Sequence, residues 1–140
     1  MAIVIDTSAL IEIERALSRG DSVPQQLADE SVALPAIVWA EALIGVRLAD
    51  SPLRAARRRA YLEAIRLHAE IVSFSPEVAE HYADIYAELS ASGTPIPQND
   101  CAVAATARFL GSPLLVGPAD EAHFARVAGL DVRVIGSISA

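Results

Sequence analysis

Short apolar runs that alternate with longer amphipathic stretches predict an α/β fold for these 140 residues: three layers around a mainly parallel sheet of about five strands. Three observations carry that expectation. The first run, Ala2-Ile3-Val4-Ile5, is apolar at every position, as a strand covered on both faces must be. Asp6 follows at once, and residues 7–19 then place Leu10, Ile11, Ile13, Ala16 and Leu17 in one broad helical stripe. The length suits one domain with a real core, so residues 1–140 are read as a single domain.

The remaining elements follow in order. Residues 21–30 predict a short helix with Asp21 or Ser22 at its cap and Pro24 in its first turn. A brief strand is expected over 31–34. Pro35 then opens a long helix to about residue 50, since proline is tolerated at the first helical position. After Ser51-Pro52 an arginine-studded helix is expected over 53–69, and a strand over 71–74. Ser75-Pro76 starts a helix to about residue 90, closed by Ser92-Gly93. Residues 94–99 hold two prolines and read as a loop, and the alanine-rich stretch 100–110 is a well-packed helix ending at Gly111. Strands at 114–116 and 132–135 flank a helical turn at 120–125.

Composition narrows the function. With 53% hydrophobic and 21% charged residues the chain is neither disordered nor built to span a bilayer. It begins with a strand rather than a basic and then apolar leader, so no membrane partner is expected and the cytoplasm is the expected compartment. Cys101 is the single cysteine, which agrees with a reducing environment, and His68, His81 and His123 show no zinc-ligand spacing. The net charge of −7 argues against nucleic acid on its face, yet Arg54, Arg57, Arg58 and Arg59 are bunched on one segment. They could follow RNA phosphates or form a solvated face paired with Glu63. There is no lysine anywhere, which removes P-loop phosphate binding and Schiff-base chemistry.

Four carboxylates break the pattern of their surroundings. Asp6 ends a buried parallel strand, where open α/β sheets place their ligands; capping the next helix is its plainer role. At 100° per residue, Ile37, Glu41, Ile44 and Leu48 share a sector about 60° wide, so Glu41 points where the core should be. A buried carboxylate needs a partner: a metal, a polar cavity, or an arginine such as Arg15 or Arg47. Asp100 shares a face with Val103, Ala104 and Ala107, and Asp120 follows the strand at 114–116; each could also cap a helix. If the first and fourth strands are neighbours, Asp6 and Asp120 leave the same sheet edge, within reach of Asp100 and Glu41. Such a nest would repel itself unless cations neutralise it. Oxygen donors without histidine or thiolate select Mg²⁺ or Mn²⁺, and carboxylates holding such ions are suited to phosphodiester hydrolysis. No neutral-pH side-chain base is offered, so proton removal falls to metal-activated water.

These segments together resemble a known family. Ile3-Val4-Ile5-Asp6-Thr7-Ser8-Ala9-Leu10, Glu41 within Trp39-Ala40-Glu41-Ala42-Leu43-Ile44-Gly45, Ile96-Pro97-Gln98-Asn99-Asp100 leading into the alanine-rich helix, and the stretch from Asp120 to Leu130 are similar to a PIN domain of the VapC toxin type. The resemblance covers nearly the whole chain, in order. It implies a PIN-like three-layer domain and a Mg²⁺- or Mn²⁺-dependent endoribonuclease, the toxin of a type II toxin–antitoxin module. By match of motif it carries over Asp6, Glu41, Asp100 and Asp120 as catalytic, metal-holding carboxylates, and Ser8 as the hydroxyl that supports Asp6 or a metal-bound water.

The partners the resemblance implies are a structured RNA such as tRNA or rRNA, a second copy of the chain in a homodimer, and a cognate antitoxin whose tail crosses the site. One position departs from the family pattern: Pro118 stands where a threonine commonly precedes the fourth acidic residue. The alternative function is a catalytically silent PIN-like domain that only binds RNA or its antitoxin. A phosphatase using Asp6 as nucleophile would want a second aspartate where Ser8 stands. Trp39, Tyr61, Tyr82 and Tyr86 read as core or dimer contacts, and His123 with Phe124 as packing under the last strand.

Overall fold

The computed structural model describes residues 2–22, 27 and 30–136. Residues 23–26, 28 and 29 of the helix expected over 21–30 lie outside the described residues. Eleven elements follow one another: β1 (Ala2–Ile5), α1 (Thr7–Ser18), β2 (Ser31–Pro35), α2 (Ala36–Arg47), α3 (Pro52–Arg66), β3 (Ala69–Val72), α4 (Pro76–Ser92), α5 (Gln98–Leu110), β4 (Leu114–Val116), α6 (Glu121–Ala125) and β5 (Val132–Val134). The strands form one sheet in the order β3-β2-β1-β4-β5, every pairing parallel, with helices flanking it. The expected α/β class and parallel sheet are what the chain adopts.

β1 is the central strand, and no other strand of the sheet carries four apolar residues in a row. Ile3, Val4 and Ile5 are buried, between β2 on one side and β4 on the other. Each such side chain removed from water contributes about 1.5–3 kcal/mol, enough to outweigh the ordering of a short strand. From β1 the chain winds outward through β2 to β3, then returns across β1 to lay down β4 and β5 on the other side. The winding direction therefore reverses between β1 and β4. At such a switch point the loops leaving the carboxyl ends of the two strands diverge and open a crevice.

Several boundaries differ from the expected ones, for identifiable reasons. Pro35 closes β2, where it pairs with Val72, and α2 begins one residue later. α3 stops at Arg66, so Ala69 enters β3, which runs Ala69–Val72 instead of 71–74. Pairing with β2, from Val32↔Ala69 to Pro35↔Val72, sets that register. Phe74, displaced from the strand, stands edge-on to Tyr82 at 5.7 Å. α4 continues to Ser92, because Gly93 takes the left-handed conformation (φ 68°) that ends it. α5 begins at Gln98, which puts Asp100 in its first turn.

The face assigned to α2 needs correction. Its fully buried residue is Val38, whereas Ile44 and Leu48 are 54% and 78% exposed. A helix that is apolar on nearly every side gives periodicity nothing to choose between. Packing decides instead, and α2 lies against β2, α5 and α3. Glu41 is half-buried and faces α1, where Thr7 meets it.

Candidate functional site

The site begins where β1 ends. Asp6 is held in the sheet by its amide, which donates to the Leu115 carbonyl at 3.1 Å, and its backbone turns directly into α1. Its side chain is 2% exposed and accepts from the Ala9 amide at 2.8 Å. Capping and site membership are alternatives in the sequence; the carboxylate does serve as cap while facing the crevice acids. The Ser8 hydroxyl lies 2.9 and 2.8 Å from its two oxygens, and accepts from the Gly117 amide at 2.8 Å. Ser8 thus fastens the end of β1 to the loop after β4, across the switch point.

Three more acids arrive from other elements. Thr7 at the start of α1 donates through Oγ1 to Glu41 Oε1 at 2.7 Å, which orients the α2 carboxylate. Asp100 in the first turn of α5 has its Oδ2 2.7 Å from His123 Nδ1. An ionised carboxylate only accepts, so Nδ1 carries the proton in that pair. Asp120, ahead of α6, places Oδ1 4.0 Å from the same nitrogen and makes no capping bond. Asp100, Asp120 and His123 offer ligand atoms that all lie within 4.8 Å of one another.

The electrostatics register the crowding. Burial above all pushes the Asp6 carboxyl up to about 6; bonds from Ala9 and Ser8 oppose the rise, and the charges of Asp120 and Asp100 add to it. Burial also raises Asp100, the His123 bond lowers it, and the charges of Asp120 and Glu41 raise it again. Asp6 therefore feels Asp100 and Asp120, and Asp100 feels Asp120 and Glu41, while the group whose ligand atoms lie within 4.8 Å holds Asp100, Asp120 and His123 without Asp6 or Glu41. Among the described residues no arginine stands within ion-pair distance of Asp6 or Glu41. Carboxylate oxygens with one imidazole nitrogen, short of cations and with Asp6 desolvated, are a donor set that fits a divalent metal ion.

One consequence can be measured without substrate. The folded Asp6 carboxyl holds its proton up to about 6, against an ordinary 3.8, so between those values the folded chain binds more protons than the unfolded one. Stability of the metal-free protein should then fall as pH rises through that window and stay lower above it. The Asp6 contribution amounts to on the order of 3 kcal/mol at most. Thermal unfolding in chelator should give a higher Tm at pH 5 than at pH 7, and Asp6→Asn should shrink the difference. A parent Tm that rises steadily from pH 4 to 7 would contradict the assigned environment.

Residues 3–130 of the 140 match the PIN domain family. It is 31% identical to Ribonuclease VapC1 of Rickettsia felis over 138 residues, 98% of each chain. This protein belongs to the VapC branch of the PIN-domain family. The fold of this PIN domain is also that of solved complexes. It superposes on a chain of the Rickettsia felis VapBC2 complex bound to promoter DNA with a TM-score of 0.78 at 21% identity, covering 96% of this chain and 98% of that one. For VapBC-5 of Mycobacterium tuberculosis, described as a member of a family of toxin–antitoxin systems, the TM-score is 0.73 at 25% identity, with 97% and 98% covered. FitAcB of Neisseria gonorrhoeae gives 0.71 at 28%, with 96% of each chain covered.

The VapC-type site contains more than its sequence discloses. The sequence suggests packing under the last strand for His123, and a donor set free of histidine. The ring instead meets Asp100, from 23 residues away in the chain. The Thr7 hydroxyl binds Glu41, 34 residues away in the chain, which no local pattern marks. Nothing in the sequence marks Gly117, whose amide binds Ser8. The local signal for His123 is its place three residues after Asp120, one turn on along a helical segment. Pro118 leaves the loop without the family's usual hydroxyl, and Asp120 still reaches the Asp100–His123 group.

Proposed function

We propose that this PIN domain is a Mg²⁺- or Mn²⁺-dependent endoribonuclease, the toxin of a type II toxin–antitoxin module. Asp6, Glu41, Asp100 and Asp120 are its catalytic and metal-holding carboxylates. What supports the reading is the grouping of Asp100, Asp120 and His123, together with the charges of Asp120 and Asp100 on Asp6 and of Glu41 on Asp100, near the point where the strand order switches between β1 and β4. When bound, the divalent ion supplies Lewis-acid polarisation of the scissile phosphate and acidifies water. The chain's own residues arrange the donors. Ser8 holds Asp6 in one orientation, Thr7 holds Glu41, and His123 engages one oxygen of Asp100.

Such prepositioned partners lower the ordering cost of assembling the charged site. The partners proposed with this activity are an RNA substrate, tRNA or rRNA, and an antitoxin protein of the kind the VapBC relatives carry. A second copy of the chain is proposed at the exposed aromatics Phe74, Tyr86 and Phe109. The proposed compartment is the cytoplasm. No helix among the described residues is long and apolar enough to cross a membrane. Retention of all four acids speaks against the silent, binding-only alternative.

The test is incubation of the purified protein with a total tRNA and rRNA mixture, in Mn²⁺ and in excess chelator. Endonucleolytic fragments in Mn²⁺ and none in chelator are expected. Cleavage that persists in chelator would overturn the metal-dependent reading.

A further inference from the structure

An acidic crevice repels the polyanion it is meant to cut, so affinity for RNA has to come from another surface. The cations of this chain are unevenly placed. α3 carries Arg54, Arg57, Arg58, Arg59 and Arg66 against one acid, Glu63, in a protein of net charge −7. Two of the five are engaged away from the crevice: Arg59 pairs with Glu63 at 2.9 Å, and Arg66 lies over the Trp39 ring at 5.3 Å. The other three, with Glu14, Ser18 and Tyr61, line an open groove between α1 and α3. Arg58, Glu14 and Ser18 also line a second depression, which ends on Thr7 and Glu41. Shared walls make the two one channel along α1, about 16 Å from Thr7 to Ser18. It leads from the arginines to Glu41.

We infer that this channel is the track for the RNA strand on one side of the scissile bond, with Arg54, Arg57 and Arg58 taking its phosphates. The inference rests on the nuclease reading and gives that site its substrate path. Residues 54, 57 and 58 stand three and four apart on one helix, hence on one face. Arg58 is already braced: its Nη1 donates to the Gly45 carbonyl at 2.9 Å, and its Nε lies 3.8 Å from Glu14. Arg54 meets only Asp50, at 3.5 Å and in open solvent, a pair worth well under about 1 kcal/mol and easily exchanged for a phosphate. Arg57 has no ion pair among the described residues. Tyr61 in the channel wall adds a ring on which a base can stack. An acidic protein segment would find the same charges. A polymer cut inside the crevice, however, has to continue past it on both sides, and the channel is the basic surface that joins it.

The experiment compares the parent with Arg54→Gln/Arg57→Gln and with Arg57→Glu, all at exposed positions where the fold has no stake. Binding of a fluorescent single-stranded RNA is followed by anisotropy in chelator across a salt series, and single-turnover cleavage is followed in Mn²⁺. The double variant should bind about tenfold more weakly at 0.1 M salt, and its log–log salt slope should flatten by about 1.4, or about 0.7 for each phosphate no longer neutralised. Its single-turnover cleavage at RNA well below the Kd should fall in step with the lost affinity, by about tenfold. Arg57→Glu, which reverses a charge in the channel, should also bind more weakly than the parent. Unchanged affinity and slope in both variants, with the parent cutting RNA, overturns the track and leaves the arginines to a protein partner. A parent that neither binds nor cuts RNA overturns the nuclease reading, and the track with it.

Discussion

Asp100→Asn should lower Mn²⁺-dependent RNA cleavage by at least about 100-fold while leaving the protein folded. Partners that merely orient a metal ligand are worth about 10–100-fold in metal affinity or activity, so loss of a ligand's charge should cost no less. Asp100 is where the effect should concentrate. It is the acid that burial and the charges of both Asp120 and Glu41 press upon, and it alone is held by His123. Asparagine keeps the shape and an oxygen for the His123 N–H, so the local packing of α5 against α6 should survive. Removing a charge from a repelling cluster should also raise the Tm of the metal-free protein. Single-turnover cleavage in Mn²⁺, with isothermal titration of Mn²⁺ into each protein, measures both effects. Cleavage within a few-fold of the parent would remove Asp100 from the metal-holding set.

Gly117→Ala is expected to be the most damaging change outside the carboxylates. A Cβ built at position 117 would lie 2.9 Å from both Cβ and Oγ of Ser8 and 3.2 Å from its backbone carbonyl carbon. The first two distances are closer than real Cβ atoms approach, and the third involves backbone, which cannot swing aside. The loop after β4 would have to separate from the start of α1. That movement would break the Gly117 N–H bond to Ser8 and pull the hydroxyl from Asp6. Overpacking of this kind costs about 1–3 kcal/mol. Loss of the Asp6 orientation should lower cleavage more than tenfold beyond what stability explains. Urea unfolding and cleavage measured well below the unfolding midpoint separate the two. If the alanine variant matched the parent in both, the Ser8 bridge would have no part in holding the site.

Asp6 illustrates what is legible in the chain. An apolar strand, an acid and a helix in immediate succession place that acid at a sheet edge whatever the rest of the fold does, because burial and chain direction are local. Asp120 after β4 and Asp100 at the head of an apolar helix are legible for the same reason. Glu41 rests on a weaker argument. Periodicity makes its sector core-facing, but Ile44 and Leu48 in that sector are exposed, and the acid reaches the crevice because Thr7 meets it. An all-round apolar helix hides its packing face from any periodicity.

By itself, then, the amino-acid order determined the mainly parallel α/β architecture, a first strand covered on both faces, and which carboxylates could gather at the carboxyl edge of the sheet. These follow from apolar pattern and from residues adjacent in sequence. Only the tertiary structure decided the pairings that turn acids into an ordered site: Ser8 with Gly117, 109 residues apart, Thr7 with Glu41, 34 apart, and Asp100 with His123. The basic channel along α1 was decided there as well. Such pairings depend on which strands become neighbours and which helix faces meet, and that is settled by the sum of burial over the whole chain rather than by any one stretch of it.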